Sequence, residues 1–262
     1  MWHHSAVKRI LLPLVVAAVM MSVAACGGSD DGKPADKADK PAVTLTQADF
    51  ATKVPAALQA KSTFHAVATT TDSDGPVVTT SDLKVTSAGT DLAATTDQGL
   101  TVLRIGGKLY GKGDGLSDNE AKPWKVWDPT ASAQDPMAAL TGVQLQIQSA
   151  AALTHQLLAG AAYATKFTSK EGPVVGGAST TEYTITIDAA KAAAAKALGD
   201  YLTSAVVTAQ KIKEVTAVVL VDKDDLPRKL DFAFGTTTES VQFSKFGDPV
   251  TITAPPAALI DA

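Results

Sequence analysis

From Ser62 onward the hydrophobic period of the chain is two, and β-branched residues dominate. A period of two places successive side chains on opposite faces of an extended backbone, so it selects for sheet and against helix. Segments 64–71, 77–87, 91–96, 100–105 and 109–112 read as strands separated by Gly75-Pro76, Gly89 and Gly106-Gly107. The last pair stands between Thr101-Val102-Leu103-Arg104-Ile105 and Lys108-Leu109-Tyr110. Two consecutive residues at positive φ make the tight turn that matches strand twist, and glycine takes it without strain, so a two-residue hairpin is expected there. Further strands are expected at 163–170, 181–187, 215–221, 228–234, 239–246 and 249–253, with Asp222-Lys223-Asp224-Asp225-Leu226-Pro227 as a solvated turn.

Helical spacing interrupts this pattern in a few places. Thr46 has the chemistry of an N-cap, and Phe50, Val54, Ala57 and Leu58 follow at helical intervals, with Pro55 expected to kink or end the helix. Asp135-Pro136 starts a short helix at 137–140, and a longer one is expected over 143–158. Asp188 caps an alanine-rich helix over 189–202, whose apolar stripe is Leu198, Tyr201 and Leu202. Helices grouped apart from strands point to an α+β fold built on an antiparallel sheet, within a single domain.

The N-terminus specifies an address. Lys8 and Arg9 precede an apolar run, 10–21, that is too short to cross a bilayer as a helix and fits a signal peptide. The run ends in Ser22-Val23-Ala24-Ala25-Cys26-Gly27, and Cys26 is the one cysteine of the chain. This segment resembles the bacterial lipoprotein box, which implies cleavage between Ala25 and Cys26 and a diacylglyceryl group on the thiol. Residues 1–25 are then the signal peptide, 26–45 the lipidated cysteine with a flexible tether, and 46–262 the folded domain. Cleavage removes two basic residues and no acidic one, so the mature chain is more acidic than the net −4 of the whole. An acidic body is repelled by anionic head groups, and attachment must come from the lipid. The 27–43 segment, rich in Gly, Pro, Asp and Lys, spans roughly 20–25 Å as a random coil.

The expected location is the extracytoplasmic face of a cell membrane. One cysteine cannot make a disulfide or a Cys/His zinc cage, and the acidic balance argues against nucleic acid as a partner. His3 and His4 leave with the signal peptide, and only His65 and His155 remain, in a strand and a helix, as surface or satisfied polar residues. No HExxH, GxSxG or phosphate-binding glycine loop occurs, and Ser81-Asp82-Leu83-Lys84 matches SxxK by chance within strand-like sequence. Trp124 and Trp127, three apart near Pro129, suit a plug at a sheet edge or end. The reading is a protein that is not an enzyme and needs no cofactor or metal.

Val215-Thr216-Ala217-Val218-Val219-Leu220-Val221 carries apolar residues on both of its faces, so both should be dry. Ordinary packing explains this, and so does an apolar cavity between sheet and helices. The candidate lining of such a cavity is Phe64, Val102, Ile105, Val218, Leu220, Phe232, Phe234 and Phe243.

The lipobox, the charged tether, the first helix and Val102-Leu103-Arg104-Ile105-Gly106-Gly107-Lys108-Leu109-Tyr110 together resemble the actinobacterial LppX/LprG-type lipoproteins. Trp124-Lys125-Val126-Trp127-Asp128-Pro129, Asp135-Pro136-Met137-Ala138-Ala139-Leu140, Val219-Leu220-Val221-Asp222, Asp225-Leu226-Pro227-Arg228-Lys229-Leu230 and the segment from Phe246-Gly247-Asp248-Pro249 to Pro255-Pro256 carry the resemblance through most of the mature chain. It implies a strongly curved antiparallel half-barrel with helices on its concave side, as in LolA-like carriers. It also implies a lipid or glycolipid ligand, transport across the envelope, and an envelope transporter as a possible partner. A second function is open on the same fold: an envelope interaction or stress-sensor module that carries no lipid.

Overall fold

The computed structural model describes residues 44–73, 75–86, 89–127, 158, 160–197, 203–209, 211–234 and 237–261. Ala25, Cys26, the tether, His155, the helix expected at 137–140 and all but Leu158 of the one expected at 143–158 lie outside them. The described residues fall within one compact unit, Asp39–Ala262.

Twelve strands form one sheet: β1 Thr63–Asp72, β2 Gly75–Thr86, β3 Gly89–Thr96, β4 Thr101–Ile105, β5 Lys108–Lys112, β6 Trp124–Trp127, β7 Ala164–Glu171, β8 Thr180–Asp188, β9 Glu214–Asp222, β10 Pro227–Phe234, β11 Thr237–Ser244 and β12 Ile260–Asp261. Their order across the sheet is β12-β6-β5-β4-β3-β2-β1-β11-β10-β9-β8-β7. Neighbours run antiparallel throughout, except that β12 lies parallel to β6. The sheet is open, with β12 and β7 at its edges, and curved as in the expected half-barrel. Sheets this wide relieve accumulated twist by curling. Two meanders, β1 to β6 and β7 to β11, are joined where β1 pairs with β11, a contact that closes only after the whole chain between them has been made.

Local signals account for most element ends. Ile105 pairs with Lys108 across Gly106 and Gly107, whose φ values are +56° and +84°, the expected tight hairpin. The first helix, α1 Gln47–Ala60, is capped by Thr46, whose Oγ1 accepts from the Asp49 N–H at 3.1 Å. It runs on through Pro55 to Ala60, so the early end that Pro55 suggests does not occur. A proline removes its own N–H bond to the preceding turn, and Pro55 is buried in the core, which offsets that loss. The second helix, α2 Ala189–Ala194, starts at Asp188, whose Oδ1 accepts from the Lys191 N–H at 3.0 Å.

That helix is much shorter than expected. Lys196 adopts φ +56°, Ala197 N–H donates to the Ala192 carbonyl and Lys196 N–H to the Ala193 carbonyl, so the alanine run ends in a Schellman motif without a glycine to announce it. Residues 198–202, with the expected apolar stripe, lie outside the described residues. A helix that the period did not show, α3 Ser204–Ala209, ends the same way at Lys211 (φ +53°). The strand expected at 249–253 does not form. Pro249 supplies no N–H for a ladder, and the segment instead lies beside His65 and Asp82 before a single 3-10 turn, Ala257–Leu259, leads into β12. Among the described residues no helix is long and apolar enough to cross a membrane.

Candidate functional site: the apolar face of the sheet

Strand register assigns every side chain to one of two faces. One row runs Val102, Ala94, Ser81, Ala66, Phe243 across β4, β3, β2, β1 and β11. The next runs Thr96, Thr79, Ala68, Val241, Leu230, Val219, Tyr183 from β3 to β8. A third runs Val77, Thr70, Glu239, Phe232, Ala217, Ile185, Phe167 from β2 to β7. Nearly all of these residues are buried, so one face of the open sheet is apolar and covered along most of its width. Helix α1 packs on this face: the Phe50 ring lies 5.0 Å from Tyr183 and 5.6 Å from Phe167, and the Tyr183 hydroxyl accepts from the Leu45 N–H at 2.9 Å. Burial of that phenol pushes its pKa up.

The face is not uniform. Towards β8 and β10 it presents Tyr183, Ile185, Ile187, Leu230 and Phe232. Towards β1, β2 and β3 it presents Phe64, Leu83 and Leu92 in one row and the smaller Ala66, Ala68, Ala94, Ser81 and Thr79 in the next two. The β1–β3 part thus carries large apolar residues at Phe64, Leu83 and Leu92 and smaller residues, some with hydroxyls, further along the strands.

Of the expected lining residues, Phe64, Val102, Phe232 and Phe243 are brought together on this face, and Phe64 meets Phe243 at 6.1 Å between rings. All four are 4% exposed or less, so they are covered and face no water-filled space. Ile105, Val218 and Leu220 are on the opposite face and cannot line the same volume. Phe234 is paired in β10 with Thr237. The expectation that both faces of β9 are dry holds on the second face at Leu220 and only partly at Val218, which is half-buried. Leu220 stands in register between Glu182 and Lys229, which pair with Lys170 (3.0 Å) and Asp231 (2.8 Å). Long charged side chains lay their stems over a leucine while keeping their heads in water, so no second layer is needed there.

Two features carry chemistry that the sequence reading missed. The first is Glu239, 3% exposed, in the third row between Thr70 and Phe232. Its Oε1 has no hydrogen-bond partner among the described residues. Burial alone pushes its pKa up to about 7. The signal was present: Glu239, Val241 and Phe243 share parity, so a strand that puts the latter two in the core puts the acid there too. The second is Asp222, 3% exposed, whose Oδ1 accepts from the N–H groups of Asp224 (2.9 Å) and Leu226 (3.0 Å) while Oδ2 takes the Arg228 guanidinium at 2.6 Å. Arg228 in turn lies 5.0 Å over the Phe246 ring. The turn expected to be solvated is organised around a buried carboxylate.

On the opposite face His65 Nδ1 lies 2.8 Å from Asp82 Oδ1 across β1 and β2, which gives the histidine the partner its sequence context did not reveal. A polar cleft of about 420 Å³ opens beside this pair, between Lys245 and residues 248–251. Among the described residues no three metal-ligating side chains are gathered.

No family model matches the chain, and no curated protein does. Among solved structures, LprF from Mycobacterium bovis superposes with a TM-score of 0.50 over 80% of this chain and 96% of that one, at 13% identity. The Mycobacterium tuberculosis lipoprotein LppX gives a TM-score of 0.45 over 76% and 98%, at 18% identity. The resemblance read from the sequence thus holds for the fold, on the strength of the first of these.

Proposed function

We propose that this protein is a membrane-anchored extracytoplasmic lipoprotein that takes the acyl chains of a lipid or glycolipid against the apolar face of its sheet and assists their movement through the envelope. One observation carries this reading: a continuous apolar face, spanning β1 to β4 and β8 to β11 of a sheet that never closes on itself. A closed barrel has a fixed interior, whereas an open curved sheet exchanges one apolar cover for another by moving whatever packs on it. Each buried methylene contributes about 0.8 kcal/mol, so a two-chain lipid recovers the cost of displacing a few protein side chains. The face is covered in the structure, so loading requires an opening movement on that side. The lipobox segment at Cys26 supports the anchor, and the tether supports a position within about 20–25 Å of the head groups. The reading holds that the protein is not an enzyme.

Native mass spectrometry of the full chain purified from membranes tests this. The expected result is a population carrying an acyl lipid in addition to the anchor. A protein that carries none, and takes up neither phospholipid nor glycolipid when these are added, refutes the carrier reading.

A further inference from the structure

An unpaired carboxyl in an apolar face costs stability unless something outside the fold uses it. Glu239 is such a group: 3% exposed, Oε1 unpartnered among the described residues, with Thr70 and Phe232 directly opposite, Ala68, Asp72, Leu230 and Phe234 diagonal to it in the register, and Val241 two residues along its own strand. The one charged residue among these neighbours, Asp72, carries the same sign, so no cation in the register pairs with Glu239. On its β1 side the acid faces the small residues Thr70 and Ala68, with Thr79 beyond them on β2. A buried, unsatisfied polar atom on an apolar face is the kind of group that fixes a ligand's orientation between apolar walls.

Resting on the carrier reading above, we propose that Glu239 recognises its ligand, and that the ligand is an uncharged acyl lipid with a free hydroxyl, whose O–H is hydrogen-bonded to the Glu239 carboxyl within the apolar face. The chemistry argues against an anionic head at this point. With no lysine or arginine among the neighbours in register, a phosphate beside Glu239 would be a second uncompensated charge, which is far more costly to bury than a hydroxyl. A hydroxyl, by contrast, satisfies Oε1 and brings only its own modest desolvation. A charge-assisted or well-buried hydrogen bond of this kind gives about a tenfold preference over a lipid that cannot make it.

The test uses the full chain in detergent, with native mass spectrometry as the readout and three probes of equal chain length: dioctanoylglycerol, galactosyl dioctanoylglycerol and dioctanoyl phosphatidic acid. The wild-type protein is expected to retain one or both of the first two about tenfold more than the third. Retention of the first identifies the glycerol hydroxyl, and retention of the galactosyl form alone identifies the sugar hydroxyl. In Glu239→Leu the preference should fall to near unity with acyl binding kept. In Glu239→Gln, which retains a hydrogen-bonding group, most of the preference should survive. Both variants remove a buried acid, so a thermal melt at or above the wild-type value verifies folding. Equal retention of all three lipids by wild type and Glu239→Leu overturns the role of Glu239 and leaves the carrier reading standing. If wild type binds none of the three, both fall.

Discussion

Replacing Glu239 by glutamine removes one ionisable group from the middle of the apolar face while keeping its shape. Its carboxyl has a pKa raised from an ordinary 4.5 to about 7, and burial is the cause. Below pH 4.5 the acid is neutral in both folded and unfolded chains and costs nothing in charge. As pH rises from 4.5 through 7 the unfolded chain ionises first, and stability is lost until the folded form ionises as well. At 1.36 kcal/mol per pKa unit the loss approaches about 3 kcal/mol by pH 8, and the 3% exposure of the side chain leaves little solvent to screen it. Urea unfolding of wild type and Glu239→Gln at pH 4.5, 6, 7 and 8 isolates this term, because every other titrating group is common to both. The expected outcome is near-equal stability at pH 4.5 and a glutamine variant more stable by about 3 kcal/mol at pH 8. Parallel profiles, separated by a constant amount, would show that Glu239 finds a partner or water on folding and would refute the reasoning about its environment.

Other expectations follow from particular contacts. On the proposed anchoring, Cys26→Ala should release the protein from membranes into the soluble fraction while leaving its melting temperature unchanged; fractionation and circular dichroism measure both. Asp222→Ala should cost about 3–5 kcal/mol in urea unfolding, because two N–H groups and Arg228 lose their acceptor at a nearly buried site, and Asp222→Asn should cost less. Phe50→Ala should cost about 3–5 kcal/mol and release α1 from the sheet, seen as faster hydrogen exchange in that helix, since this ring bridges Phe167 and Tyr183. Gly107→Val places a β-branched residue at φ +84° and should cost more than 1 kcal/mol without altering which strands pair.

Much of this protein was legible in its sequence because the information was local. A period of two marked the strands, Gly106-Gly107 fixed a hairpin, and Thr46 and Asp188 started helices, each through forces acting within a few residues. The lipoprotein-box resemblance around Cys26 is also contiguous in sequence, but it lies outside the described residues and stands as part of the proposed function. Ends set by a non-glycine residue in the left-handed region, such as Lys196 and Lys211, leave no such mark, so the alanine-rich run alone predicts a longer helix than α2. Period alone says which residues of one strand share a face. It does not say which face of one strand continues into which face of the next. That depends on register between segments far apart in the chain, above all β1 against β11, and it separated Phe64, Val102, Phe232 and Phe243 from Ile105, Val218 and Leu220. Strand pairing likewise buried Glu239 beside Phe232, Leu230 and Val241 and set His65 against Asp82. A side chain's environment is made by strands that are neighbours only after folding, and so the tertiary structure alone decided where the chemistry of this face lies.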